Sequence, residues 1–280
     1  MSDTNSGLRD QEAAIAWTKD GIAAFGGDPG NIGIRGQSAG AGSVAGRVIS
    51  RAGRGKKAFN KALSSSPFWP KTYRHDADEA EWIYDTTVNR TGCAGERDSL
   101  KCLKKADVQS TRDASLYVAV TGDDFLPLPL SKAAPRRAVN IEFGFSMFNT
   151  HGSETFVPSS ADFVSWVRGL LPDLSDKQLE KAYELYPEVG SSEIIDSYNV
   201  SWWNRINTAQ QADPLHYHGY TGALASFFAT GNPNTLKLTD NDVPGIPELD
   251  SGEEFVIDAN GFLNVNVPQF EERCAVWQKL

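Results

Sequence analysis

Gly36-Gln37-Ser38-Ala39-Gly40 stands between a short β-rich stretch, Asn31-Ile32-Gly33-Ile34-Arg35, and a small, apolar, helix-compatible run from Ala41 to Ser50. The order is strand, sharp turn, helix, with a serine at the corner. A nucleophilic serine needs this arrangement for a steric reason. The turn pushes its hydroxyl out of the sheet into unfavourable backbone angles, so the residues two before and two after it are expected to be tiny. Gly36 and Gly40 meet that demand. The next residue, Ala39, then has its N–H in the first turn of a helix, where no intrahelical acceptor exists, and it can donate to a developing oxyanion. A bare G-x-S-x-G is a weak signal. Flanked by a predicted strand and helix, it reads as a nucleophile elbow.

The surroundings extend the signal. Asp10-Gln11-Glu12-Ala13-Ala14-Ile15-Ala16-Trp17, then Ile22-Ala23-Ala24-Phe25-Gly26-Gly27-Asp28-Pro29, then the GQSAGAGSV run resemble the type-B carboxylesterase/lipase family of fungal lipases, animal carboxylesterases and cholinesterases. Helix, FGGDP turn, strand and elbow match in order and spacing from about Leu8 to Val44. The resemblance implies an α/β-hydrolase: a partial, mostly parallel sheet with helices on both faces, forming a single, incomplete domain over residues 1–280. It also implies hydrolysis of carboxylic esters through an acyl-enzyme on Ser38. That chemistry calls for no metal and no cofactor, and its partner is a small-molecule or lipid ester.

Composition is consistent with this. The 280 residues suffice for a sizeable core, and 40% hydrophobic with 10% aromatic residues fit a globular protein. A net charge of −9 argues against nucleic acid or an anionic membrane surface as partner. No stretch has the apolar length of an integral membrane segment. Met1 to Asp10 is polar, so no signal peptide is visible in this chain.

The cysteine count of 3 is too small for a disulfide scaffold, and the spacing does not suit zinc. In the resembled family a small disulfide loop of the form GC…CL occurs where Gly92-Cys93 and Cys102-Leu103 stand, which implies a Cys93–Cys102 bridge and an oxidising compartment. Asn89-Arg90-Thr91 and Asn199-Val200-Ser201 are N-glycosylation sequons and point the same way. Arg273-Cys274-Ala275-Val276-Trp277 resembles the family's closing RCxxW. Its usual cysteine partner has no counterpart here, so Cys274 is expected to be free. With no signal peptide in view, these features are reconciled if the chain lacks its natural beginning, the full-length form being secreted. The family's glycine-rich loop with the other oxyanion donors precedes the first helix and is absent here; losing one such donor typically costs on the order of a hundred- to a thousand-fold in rate. A sheet without its first strands is expected to leave an unpaired edge and exposed apolar surface.

Further along, Lys57 to Ser66 reads as a strand and Asp76 to Val88 as an amphipathic helix. Leu100 to Ala106 and the segment that follows read as helix, Phe125 to Leu130 as a loop and Asn140 to Phe148 as a strand. Thr155 to Val167 and Ser175 to Tyr186 are helix candidates, the second with a Ser175/Gln178 capping box and Asp173 as a rival cap. Leu224 to Asn234 resembles the family's helix ending in a TGxPN turn, and Phe255 to Asp258 its last strand.

A serine needs a base, and the base an orienting carboxylate, in the order Ser, Asp/Glu, His for this fold. The family's acid pattern, Asn-x-x-Glu-Gly-x-x-Phe, falls on Asn149-Thr150-His151-Gly152-Ser153-Glu154-Thr155-Phe156. Gly152 takes the acid's place, and Glu154, two residues on, is the candidate; the alternative is a solvated loop glutamate. Of the histidines, His75 reads as a surface residue and His151 as part of the acid loop. His216-Tyr217-His218-Gly219 matches the family's His-Gly, and His218 is preferred over His216 as base. The family has a longer segment between its His-Gly and the TGxPN helix than Tyr220 to Ala223, so a mere loop histidine is the other reading.

Overall fold

Ile15, Ile32, Ile34, Val44, Val48, Phe59 and Ala62 lie in four separate stretches of sequence, and packing them together builds the first half of the molecule. The computed structural model describes residues 4–68, 72–114, 119–133, 136, 138, 141–147, 164–165, 167–168, 174–184, 217–237, 243–248, 251–258, 261–266 and 275–276. The chain divides into two units, Met1–Phe148 and Asn149–Leu280.

In the first unit, α1 (Ser6–Gly21) begins after Asn5, whose amide side chain clamps the backbone of Val120 by donating to its carbonyl and accepting from its N–H, both at 2.9 Å. The helix runs into a 3₁₀ turn, Ile22–Phe25, which Gly26 ends at φ 81°, an angle that favours glycine. Asp28 then accepts from the Gly30 N–H and turns the chain into β1 (Gly33–Gln37). Through Ser38 the chain enters α2 (Ala39–Ile49).

β2 (Lys61–Ser65) pairs parallel with β1, and β5 (Phe143–Met147) pairs parallel with β2. In this register Ile34, Gly36, Ala62 and Ser64 share the face on which α2 packs. On the opposite face Leu63 is fully buried. β1 is an edge of the sheet among the described residues, and Trp17 (72% exposed) and Phe25 (80%) stand in solvent.

A second core gathers Leu8, Ile49, Phe125, Leu126 and Ala133, the last from α6 (Leu130–Ala133). Between the cores' contributing segments, α3 (Asp78–Arg90) carries Asp78, Glu79 and Glu81 in its first turn and Arg90 in its last, as the helix dipole favours. Asp98 caps α4 (Ser99–Leu103) by accepting from the Lys101 N–H, and α5 (Val108–Ala114) follows. The Cys93–Cys102 disulfide closes the loop between α3 and α4 as expected.

Boundaries moved by a few residues where side chains were needed elsewhere. Lys57 to Asn60 is not strand, because Phe59 turns into the core and β2 starts at Lys61. The helix expected over Leu100 to Ala106 ends at Leu103, and the following segment is helical as expected, as α5. A parallel pair, β3 (Tyr73–Arg74) with β4 (Val120–Thr121), was not foreseen; two-residue strands carry no readable period.

In the second unit, α7 (Asp176–Glu184) is preceded by Ser175, whose N–H and Oγ both donate to Gln178 Oε1, so Gln178 reaches back as the capping box requires. A π-helical turn, Tyr217–Thr221, leads into α8 (Gly222–Thr230), which Gly231 stops at φ 84°. β6 (Glu253–Asp258) is not the last strand: it pairs antiparallel with β7 (Gly261–Asn266), and Phe255 stacks on Phe262 at 5.5 Å. Most of Thr155 to Val167, with Asp173 and Cys274, lies outside the described residues.

Candidate active site

Ser38 occupies the corner between β1 and α2 at φ 53° and ψ −121°. This is the region that the tightest primed turns reserve for glycine, and a serine held there carries on the order of 1–3 kcal/mol of strain. Its backbone is fixed from both sides: its N–H donates to the Ser65 carbonyl at 3.1 Å, and its own carbonyl accepts from Gly42 and Phe68, each at 3.0 Å. Its side chain is treated differently. A serine before a helix ordinarily caps it, worth about 1 kcal/mol, yet Ser38 makes no side-chain cap and is exposed. Among the described residues neither its hydroxyl nor the Ala39 N–H has a hydrogen-bond partner. A strained serine that gives up its cap, beside an uncommitted amide at a helix N-terminus, is equipped for nucleophilic attack with local anion stabilisation.

The glycines divide in their roles. A Cβ on Gly36 would sit 2.1 Å from the Gly40 carbonyl oxygen, so only glycine permits strand and helix to approach this closely. For Gly40 the steric expectation fails: a Cβ there meets nothing within 4 Å. Gly40 matters as the backbone against which Gly36 packs. Gln37 is the exposed last residue of β1.

Behind the elbow, the far end of α2 rests on a charged cluster. Arg47, 3% exposed, donates to Glu12 at 3.2 Å, and Arg51 grips the same carboxylate at 2.6 and 2.9 Å. The hydrogen bond from Arg51, ahead of the opposing effect of partial burial and the charge of Arg47, holds the Glu12 carboxyl down at about 2. Burial lowers Arg47 instead, outweighing Glu12. Among the described residues its Nε and Nη1 have no hydrogen-bond partner, and the guanidinium faces the Phe125 ring at 5.3 Å, with Arg9 at 5.1 Å and Arg51 at 5.2 Å from the same ring. Lys57 donates to the Ser50 carbonyl at 2.9 Å and hydroxyl at 2.6 Å; burial, then the charges of Arg47 and Arg51, pull its ammonium down to about 8. Sequence reasoning missed this cluster. Glu12 inside α1 and two arginines four apart on and just after α2 are visible in the sequence, but nothing local pairs them.

The structure places the elbow residues together, and the other triad candidates fall on residues or side chains outside those described. Glu154, His151, Gly152 and His216 lie outside the described residues, and His218 is described only as backbone in the Tyr217–Thr221 turn of the second unit. His75 is exposed, its N–H bound to the Thr121 carbonyl, as a surface residue should be. A cavity of about 660 Å³ opens between Lys19, Ile32, Lys57, Phe59 and Ile141. These residues precede the strands, whereas Ser38 follows β1, so the cavity is at the wrong end for chemistry at the elbow. No group of side chains suited to a metal ion occurs among the described residues.

A parallel sheet, a helix packed on its face and a strained serine between strand and helix define the α/β-hydrolase fold. The fold is that of a crystal structure of Aspergillus niger EstA, with a TM-score of 0.76 at 23% identity over 100% of this chain and 69% of that one. Residues 2–128 match the model of the carboxylesterase family. A secreted triacylglycerol lipase of Gibberella zeae is 34% identical over 143 residues, 48% of this chain and 24% of the relative. The bile salt-activated lipase of Rattus norvegicus is 42% identical over 106 residues, 37% of this chain and 17% of the relative. The chain thus spans a quarter or less of the length of these curated relatives.

Proposed function

We propose that the chain hydrolyses carboxylic esters through an acyl-enzyme on Ser38. The observation that carries this reading is the Ser38 corner itself: a non-glycine residue at φ 53° with its hydroxyl uncommitted, next to the free Ala39 N–H. The Ser38 hydroxyl attacks the ester carbonyl carbon while His218 takes its proton. The Ala39 N–H donates to the oxyanion, and Glu154 orients the imidazole. The alcohol leaves with the proton returned by His218, and water then releases the acid by the same route. His218 and Glu154 rest on their order in the sequence and on the His218-Gly219 match. The proposed substrate is a small-molecule or lipid ester, a class suggested by relatives named as lipases. Residues 1–280 are proposed to work as one α/β-hydrolase domain, and the full-length protein to be secreted, as several relatives are.

A second reading is favoured by Gly152, which stands where the family pattern has its acid: a member with a formed elbow and no assembled triad. A fluorophosphonate probe separates the two, since it requires an activated serine but little substrate pocket. The expected result is slow covalent labelling of the folded chain, abolished in Ser38→Ala and in His218→Ala. Folded chain that stays unlabelled selects the second reading, and labelling that survives His218→Ala shows another base.

A further inference from the structure

We infer that Asn89 carries an N-linked glycan whose first sugars cover the exposed indole of Trp82. Asn89-Arg90-Thr91 is a glycosylation sequon, and the structure puts it at the last turn of α3 with Asn89 exposed. The Asn89 carboxamide makes no hydrogen bond to a described residue. The Cys93–Cys102 bridge begins two residues after the sequon and forms in an oxidising compartment, the setting in which oligosaccharides are transferred to asparagine.

The helix geometry supplies the second half of the inference. Residues seven apart lie on nearly the same line along a helix, about 10 Å from each other, which is within reach of the first two sugars of a glycan. Seven residues before Asn89 stands Trp82, 62% exposed, on an outward stripe that turns away from buried Val88. A bare indole on a charged helix is an apolar liability, and the C–H faces of a pyranose ring suit an aromatic face.

The transfer is balanced without redox chemistry. Asn89 Nδ2 forms a bond to the anomeric carbon of the sugar. The bond from that carbon to the pyrophosphate of a lipid-linked oligosaccharide breaks, the lipid pyrophosphate leaves, and the amide gives up one proton. In the folded chain the Thr91 hydroxyl donates to the carbonyls of Thr87 at 2.8 Å and Val88 at 3.1 Å. A sequon hydroxyl tied into the helix end implies transfer before α3 folds.

The test is production of the whole chain behind a cleavable secretory leader in a eukaryotic host, followed by enzymatic glycan release in heavy-oxygen water. Occupied Asn89 is read as labelled aspartate in its peptide. Occupancy that is lost in Asn89→Gln and Thr91→Ala and kept in Thr91→Ser is expected. Unmodified Asn89, including the case where only Asn199 is occupied, overturns the site. Oxidation of Trp82 by N-bromosuccinimide should rise severalfold once the glycan is removed, and an unchanged rate overturns the covering of the indole.

Discussion

Helix α2 has a left-handed, non-glycine residue at each end, and the two differ in what their side chains do. At its start Ser38 sits at φ 53°; just beyond its end Arg51 sits at φ 56° and ψ 29°. Each carries strain of order 1–3 kcal/mol. Arg51 offsets its own: its N–H donates to the Phe125 carbonyl at 2.7 Å, its guanidinium holds both oxygens of Glu12, and its plane lies over Phe125. Ser38 is held by backbone alone, and its hydroxyl engages nothing among the described residues. Strain whose side chain is occupied belongs to the architecture. Strain whose side chain is left free points to function.

The largest effect expected from breaking this comparison is at the close approach that forces Ser38 into its corner. Gly36→Ala puts a methyl group into the Gly40 backbone, which cannot move like the tip of a side chain, and should lose at least about 3 kcal/mol. Gly40→Ala, in open space inside a helix, should stay within about 1 kcal/mol of the parent and can gain from the better helix former. Chemical denaturation of the two variants checks this. Equal losses would show that the elbow is tight on both sides.

The two strained residues themselves give the next effect. Ser38→Gly relieves the backbone without breaking a side-chain contact, so stability should hold or rise by up to about 1 kcal/mol while probe labelling disappears. Arg51→Gly relieves the same angle but strips Glu12 of its main partner, and a net loss of about 1–3 kcal/mol should follow. Opposite signs in thermal melts are the result expected. A gain in both would mean that the Arg51 cluster contributes less than the strain it offsets.

How far this was readable in advance also divides at α2. The elbow was legible because its signal is local: Gly36, Ser38 and Ala39 act within five residues, and a steric argument about a turn needs no knowledge of distant partners. Even there, Gly40 earned the wrong explanation, since its contact is made by backbone. The Cys93–Cys102 loop was legible through the family's GC…CL form. The Glu12–Arg47–Arg51 cluster was not, because it joins α1 to α2 across thirty-five residues or more, and charge alone does not say which acid meets which arginine. β3 and β4 were too short to show a period, and β7 was hidden behind the resemblance that made Phe255 to Asp258 the last strand.

Acid titration sharpens the account of the Arg51 end. Glu12 has a carboxyl lowered to about 2 from an ordinary 4.5. Its contribution is present above the unfolded value and is lost as pH falls from 4.5 through about 2, since the unfolded chain then binds a proton that the folded chain refuses. Glu12→Gln should flatten that acid limb in a series of denaturation curves. It should also lose about 1–2 kcal/mol at neutral pH, by leaving buried Arg47 without a counter-charge. An acid limb identical to the parent's would place the acid sensitivity elsewhere, for instance at Asp123, which Thr4, the Leu126 N–H and Asn5 hold below the usual carboxylate range against the opposing effect of its burial.

The smallest effect concerns Lys57, which props the same end of α2 from below. Its ammonium is pulled down from 10.5 to about 8 by burial first and by Arg47 and Arg51 second, with Glu12 opposing. Here the sign runs opposite to that of a lysine gaining a partner. Between about 8 and 10.5 the unfolded chain holds a proton that the folded chain has released, so folding becomes more favourable as pH rises through that window. Below pH 8 both states are charged, and the fold bears the full penalty of keeping an ammonium half-buried beside two guanidinium groups. Lys57→Met removes the titration and also the bonds to Ser50, so its absolute stability is a poor readout. The difference in slope is the useful one. Relative to the parent, the variant should lack a rise in stability across the window, while its curve below pH 8 runs parallel. If the slopes agree throughout, Lys57 is solvated in the native state, and the charge balance under α2 rests on Glu12 and the two arginines alone.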